Sequence, residues 1–225
     1  VAGTAVVSLA DLGYADSNMS GPFDSTRKIF STPPNWSLLP GGYVEINYDV
    51  IFSGTDVALL ETGGDTYAGL LIVSFNSQII GQIRLSTTGS HTQRFEIPAE
   101  ALQSIRENGQ HELDIRLNAQ FDCLYDVRTF VTIRSTSFFD LPYEVTTPEL
   151  NLAQLPAPFY LSNSLLPDRT ALVIPDTPSA LELKAALNVM SGFGSMVGTA
   201  FDFHLYPLEE MTNDVLGSSN LIFVG

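Results

Sequence analysis

The side chains with most chemical capacity in this chain of 225 residues are three histidines, one cysteine, a serine set among glycines and a surplus of carboxylates. His91, His111 and His204 stand far apart in strand-like segments, and none has another histidine or a cysteine at metal-ligand spacing. Each is expected to pack or to face solvent. Cys123 is the sole cysteine, which excludes an intramolecular disulfide and a CxxC pair. Ser195 lies in Gly192-Phe-Gly-Ser-Met-Val-Gly198, but a nucleophile elbow needs glycine where Phe193 stands and a strand before the turn. Asp56, Glu61 and Asp65 share a glycine-rich loop without the spacing or terminal glutamate of a calcium loop, so a solvated loop is expected there. The other carboxylates are scattered, with no pair that spacing alone would bring to glycosidase separation. Asn18-Met-Ser20 and Asn35-Trp-Ser37 match the glycosylation sequon, which is too short to be informative.

Aromatic rings offer a different capacity. Trp36, Tyr43, Tyr67 and Tyr125 fall at or near expected loops, and a flat ring presents an apolar face of the kind that stacks on a sugar ring. These four are the candidate carbohydrate-binding residues, against the alternative for each that the ring packs within the fold.

The elements that would position them fall into two textures. From Thr4 to about Tyr143 the pattern is of short alternating or apolar runs separated by Gly, Asn, Asp, Ser and Pro. Over Tyr43–Ser53, Val44, Ile46, Tyr48, Val50 and Phe52 alternate with Glu45, Asn47 and Asp49, and over His111–Asn118, Leu113, Ile115 and Leu117 with Glu112, Asp114 and Arg116, as half-buried strands do. Further strands are expected at Thr4–Leu9, Arg27–Ser31, Leu70–Phe75, Gln78–Leu85, Thr92–Ile97 and Thr129–Phe138, with a short helix at Ala99–Arg106. About eight strands suit a double-sheet jelly roll over residues 1–145. Five prolines between Pro142 and Pro167 make residues 146–168 an extended connector.

From residue 169 to 225 the order changes to β-α-β-α-β. Ala171-Leu-Val-Ile174 reads as a buried parallel strand, Thr177 as the cap and Pro178 as the first residue of a helix running through Leu181, Ala185 and Asn188, and Gly192 as its stop. Strands at Phe201–Tyr206 and Leu221–Val224 flank a short helix within Leu208–Leu216. This is the opening half of a flavodoxin-like α/β domain. Its loop Pro175-Asp-Thr-Pro-Ser179 lacks glycine, has two prolines without N–H and carries Asp176, so flavin or phosphate binding is disfavoured and no cofactor is expected.

Composition sets outer limits. Hydrophobic residues at 44% and charged residues at 16% describe a chain that buries a real core. A net charge of −15 repels phosphate backbones and anionic lipid heads, so nucleic acid is not an expected partner. No signal-peptide pattern or membrane-spanning apolar run is present, and a chain beginning at Val1 reads as a processed or truncated piece.

Several stretches in order carry a family resemblance: Leu9-Ala-Asp-Leu-Gly13 with Gly21, Leu71-Ile-Val-Ser-Phe-Asn76, Asp122-Cys123 with Thr132-Ile133 and Ser135, Leu172-Val-Ile-Pro175 with Ala185-Ala186, and Asn220-Leu-Ile-Phe-Val-Gly225. With the sandwich-then-α/β layout, the chain resembles the periplasmic regulatory B subunit of bacterial cellulose synthase, a family labelled cyclic-di-GMP-binding. The resemblance implies a carbohydrate-binding-like jelly roll and a flavin-free flavodoxin-like domain in a non-catalytic, extracytoplasmic subunit. Such a subunit lies beside the catalytic subunit and guides the emerging glucan with weak contacts. It implies also a second pair of domains and a C-terminal membrane anchor that this sequence lacks. Phe130 stands where the family has Trp, and none of the arginines has the Arg-x-x-x-Arg spacing of a PilZ-type dinucleotide site. The rival readings are a secreted polysaccharide-active enzyme with a jelly-roll body, recognisable by convergent titratable groups in one cleft, and a structural cell-surface sandwich without sugar contact.

Overall fold

The computed structural model describes residues 2–58, 68–104, 109–119, 126–147, 153, 155–165, 169–197 and 203–225. The chain divides into two compact units, Val1–Thr146 and Thr147–Gly225. The described residues of the first unit form β1 (Ala2–Ser8), β2 (Ser17–Ser20), β3 (Phe23–Ser31), β4 (Trp36–Leu38), β5 (Tyr43–Ser53), β6 (Gly69–Phe75), β7 (Gln78–Leu85), β8 (Gly89–Glu96), α1 (Ala99–Gln103), β9 (Gln110–Asn118), β10 (Arg128–Ile133) and β11 (Phe138–Val145). They build two antiparallel sheets in a sandwich-like arrangement. One is four-stranded in the order β3-β9-β6-β7; the other has seven strands on the path β1-β11-β5-β10-β2, with β4 beside β11 and β8 beside β5.

The alternation read in the sequence decides which faces meet. Along β5, Val44, Ile46, Tyr48 and Val50 are buried while Tyr43, Glu45, Asn47 and Asp49 are half-buried on the outer face. In the smaller sheet the register sets Leu117 beside Leu71, Ile115 beside Val73 and Leu113 beside Phe75. The sheets are joined by rings: Phe30 of β3 and Phe75 of β6 reach Phe139 of β11, with centroids 4.7 and 6.3 Å apart, within the range of favourable aromatic pairs. All three are fully buried.

The edge strand β3 is closed by a side chain. Tyr14 Oη donates to the carbonyl of Ile29 at 2.7 Å and accepts from its amide at 2.9 Å, occupying backbone groups that an open edge would offer to another chain. The same ring lies 4.7 Å from the buried Lys28 ammonium, which donates to Ser17 Oγ at 2.6 Å. Burial lowers the pKa of Lys28.

The segment Thr129–Phe138, read as one strand, is two. Ser137 N donates to the Arg134 carbonyl, and the turn so formed separates β10 from β11. The second of these continues through Pro142, whose carbonyl still accepts from Leu39 N at 2.8 Å. Strands β2 and β4, with 4 and 3 residues, are too short to show an alternation and are absent from the sequence reading.

In the second unit β12 (Thr170–Ile174) is followed by α2 (Ala180–Val197), β13 (Phe203–Pro207), a single 3-10 turn (Leu208–Glu210), α3 (Asn213–Ser218) and β14 (Asn220–Phe223). The small parallel sheet has the order β13-β12-β14. Its packed face centres on Leu172 and Ile174 against Ala186 of α2, with Val189, Met190, Phe203, Ile222 and Val224 around them. The cap of α2 is Ser179, not Thr177. Ser179 Oγ accepts from Glu182 N at 3.3 Å and Glu182 Oε2 accepts from Ser179 N at 2.6 Å, a reciprocal box that outweighs the Thr-Pro signal before it. Nor does Gly192 stop the helix, which continues to Val197, with Ser195 Oγ donating to the Gly192 carbonyl at 2.7 Å. Among the described residues no helix is long and apolar enough to cross a membrane.

The ring contact across the sandwich gives the first prediction. Phe30→Ala removes a side chain with no exposed surface and is expected to cost about 3–5 kcal/mol of stability in chemical denaturation. Phe130→Ala, on a ring 42% exposed on the outer face, is expected to cost about 1 kcal/mol or less.

Candidate functional site

Trp36 and Tyr43, expected near loops, both stand on strands. Tyr67 and Tyr125 lie outside the described residues, as do Glu61, Asp65 and Cys123.

Tyr43 opens β5 on the outer face. The Arg94 guanidinium covers its ring at 3.4 Å and is held by Glu96 at 2.8 Å, while Phe138 meets its edge at 6.1 Å. One face of this ring is therefore already taken by a cation. Burial, and then Asp140, raise the pKa of its hydroxyl.

Trp36 belongs to the opposite, inward side of the same sheet. Strand β4 pairs with the last residues of β11, setting Trp36 opposite Val145 and Leu38 opposite Tyr143, so that Trp36 and Tyr143 are diagonal neighbours. Their rings are stacked at 3.5 Å with 8° between planes. On the far side of Tyr143 lies Gly3 of β1, where even a Cβ would come within 2.8 Å of the phenol oxygen. The tyrosine is thus pressed between a backbone and the indole, and the indole is held at a fixed height over the end of the sandwich.

Beneath Trp36 is a shallow groove of about 210 Å³ between β4 and α1, lined by Thr32, Trp36, Leu38, Leu102, Gln103 and His111 among others, none of them charged at neutral pH. It is smaller than the roughly 300–1,000 Å³ that enclose a drug-sized ligand, so it would take an edge of a longer molecule rather than swallow one.

His111 forms its floor. The ring is 1% exposed, stacked on Phe30 at 5.3 Å and Phe75 at 5.6 Å, with Nδ1 2.9 Å from the side-chain nitrogen of Asn76. The Asn76 amide is oriented by its other bonds: Oδ1 accepts from Glu112 N at 2.8 Å, and Nδ2 donates to the Ala101 carbonyl at 2.8 Å. Nδ1 of His111 must therefore accept, and its proton sits on Nε2. Burial pushes the imidazole pKa down to about 4, so the ring is neutral at physiological pH. Nε2 has no hydrogen-bond partner among the described residues, and His111 is one of the residues that line the groove. Extending the inward alternation of Leu113, Ile115 and Leu117 back by one step would have found His111. Tyr143 gave no such signal.

A second cluster lies on the outer face. Arg134 binds Asp16 at 2.8 Å and also Asp49, and Asp16 accepts from Ser135 N at 2.7 Å. The Ser135 amide, with Arg134, holds Asp16 down to about 2, and Ser90, aided by Arg134, lowers Asp49. Both carboxylates are held ionised, the opposite of what a general acid requires. Asp56 of the expected solvated loop accepts from Asp126 N at 2.8 Å, and Asp176, in the loop after β12, accepts from Glu209 N at 2.7 Å.

The buried imidazole links the site to pH. An unfolded histidine takes up its proton near 6.5 while the folded one resists to about 4, so the unfolded state binds more protons within that window. Stability is expected to be full above about 6.5 and to fall as pH drops toward 4, by about 3 kcal/mol in all. The lowered carboxylates begin to contribute only at the acid end of this range and below it, Glu182 first. Denaturation at pH 7 and pH 4.5 checks it: the fall should be largely absent in His111→Phe.

No family model matches the chain. It is 28% identical over 162 residues to Cellulose synthase 2 of Novacetimonas hansenii, covering 70% of this chain and 10% of that protein. The chain thus spans about a tenth of the relative it matches. Among solved structures, a family two carbohydrate esterase from Cellvibrio japonicus is 13% identical, covering 78% of this chain and 40% of that one, with a TM-score of 0.25. Infectious bursal disease virus, Gx strain, gives 9% identity, 89% and 50% coverage and a TM-score of 0.27. The relationship that the sequence comparison supports is a distant link to bacterial cellulose synthase.

Proposed function

We propose that this chain is a non-catalytic, extracytoplasmic module of a bacterial cellulose synthase, of the regulatory B-subunit type, and that it touches the emerging glucan at the Trp36 groove. The observation that carries the sugar contact is the stacked Trp36–Tyr143 pair over a groove whose described lining residues are uncharged. A rigid aromatic face beside an uncharged groove suits a neutral sugar ring, which is apolar on its faces and polar at its edges. The distant likeness to a cellulose synthase supplies the context.

In this reading the sandwich is a jelly roll and the second unit the start of a flavodoxin-like domain. The order β13-β12-β14 supports the latter, since a flavodoxin-like sheet begins by placing its first strand between its second and third. The partners are the glucan and the catalytic subunit, and the net charge of −15 argues against nucleic acid. Membrane association would come through an anchor elsewhere in the full protein. A secreted enzyme is the rival reading; it would need an acid and a base converging in one cleft, whereas the carboxylates that meet at Arg134 are ion-paired on the outer face.

The single tryptophan makes the test direct. Cello-oligosaccharides are expected to shift its fluorescence with a Kd near about 1 mM, some −4 kcal/mol. Tyr143→Ala is expected to weaken the response at least about fivefold, as a stacking contact worth about 1 kcal/mol is lost. An unchanged spectrum up to tens of millimolar oligosaccharide would remove the sugar contact from this unit.

A further inference from the structure

We infer that His111 is a ligand-binding residue: its Nε2–H is a fixed, neutral hydrogen-bond donor that reads a lone-pair oxygen on an uncharged saccharide whose ring lies against Trp36. This rests on the groove being the sugar-contact site and adds to it the group that orients the sugar.

The case begins with an imbalance in the core. A histidine 1% exposed, between two phenylalanines, is a costly way to fill a space that a third phenylalanine would fill. Asn76 explains one ring nitrogen and leaves the other over. The same Asn76 that takes Nδ1 also bonds the backbone of β9 and α1, so neither the ring nor its tautomer is free to change. Nε2 is thereby a donor set in advance in position, direction and charge.

The lining narrows what it reads. Groove residues Thr32, Ser37 and Gln103 are neutral and polar, Leu38, Pro40 and Leu102 are apolar, and among the described residues that line it none is a cation that would neutralise an anion. A carboxylate-bearing sugar would have to shed water into a site with one neutral donor, on a chain of net charge −15. A hydroxyl or ring oxygen of a neutral sugar asks for one donor and an apolar face, and those are present. A metal ion is a poor occupant, because the available ring nitrogen is protonated and the described lining offers no carboxylate.

The experiment follows the imidazole and the indole together by 1H–15N NMR in the intact chain near pH 7, with cellohexaose as the probe. If the inference holds, the His111 Nε2–H and Trp36 indole signals move along one binding curve, and His111→Phe weakens binding about tenfold, as for one hydrogen bond, with the Trp36 response retained. Oligoglucuronate of equal length should leave both signals in place. A moving Trp36 beside a stationary His111 would overturn the donor role while the sugar contact stood, and so would equal response to the oligoglucuronate. If neither signal moves, the contact itself is refuted and the donor role with it. The wild-type reading needs no variant, so a poorly folded His111→Phe does not blunt it.

Discussion

One asparagine side chain holds the functional end of the sandwich together. Asn76 occupies the first position of the two-residue turn between β6 and β7, at φ 46°, with Ser77 following at φ 69°. Such a turn matches the twist of the two strands, and asparagine accepts the left-handed backbone better than most residues. Its backbone N–H donates to the Glu112 carbonyl, its Oδ1 accepts from Glu112 N, and its Nδ2 serves both Ala101 and His111. Hairpin, helix α1, strand β9 and the imidazole are all referred to that one group. Aspartate there would lose both donors, and glycine would leave a buried imidazole nitrogen without its partner, each a larger loss than a surface hydrogen bond. Networks of this kind are worth most when complete, and the Asn76 side chain has its amide oxygen and both amide hydrogens in use.

What could be read from the sequence follows from the range of the interactions involved. Strands β5 and β7 are legible to the residue, because a half-buried strand writes its two faces into neighbouring positions. The Asn76-Ser77 link between two runs was equally local. The aromatic pair was not: Trp36 and Tyr143 meet because β4 joins β11, and β4 is three residues long. No pattern of three residues announces a strand. Only the Trp half of the pair stands out in the sequence, as an aromatic ring near a loop, while Tyr143 lies beyond the last expected strand, Thr129–Phe138, where the strand-rich region ends. Tyr43 was chosen on the same ground, and Arg94, placed by a different strand, has covered it.

The helix of the second unit shows a different ambiguity. Its sequence holds apolar residues on more than one side, with Leu181, Ala185, Leu183, Leu187 and Met190 along it, and this does not say which side meets the sheet. The structure buries Ala186 with Val189 and Met190, leaving Leu181 and Leu187 well exposed. Periodicity fixes that a stripe exists but not which of two will face the sheet. That choice comes from β12, which offers Leu172 and Ile174 on one side.

The size of the Trp36 groove matters to a role beside a moving polymer. A guide that gripped its glucan would have to be pulled off at each advance of the chain. With association on the order of 10⁶ M⁻¹s⁻¹, a Kd near 1 mM corresponds to release about 10³ times per second, whereas a nanomolar site would release about once in 10³ seconds. The first is compatible with continuous passage and the second would stall it. One ring face and one hydrogen bond are about the amount of contact that yields the weaker figure. A deeper cleft, or a charged group facing the sugar, would increase affinity at the expense of release. The neutrality of His111 is consistent with that limit, since an imidazolium in the same place would bind hydroxyl oxygens about twice as strongly. By holding the ring uncharged, the hydrophobic core that buries it would also keep the proposed contact light.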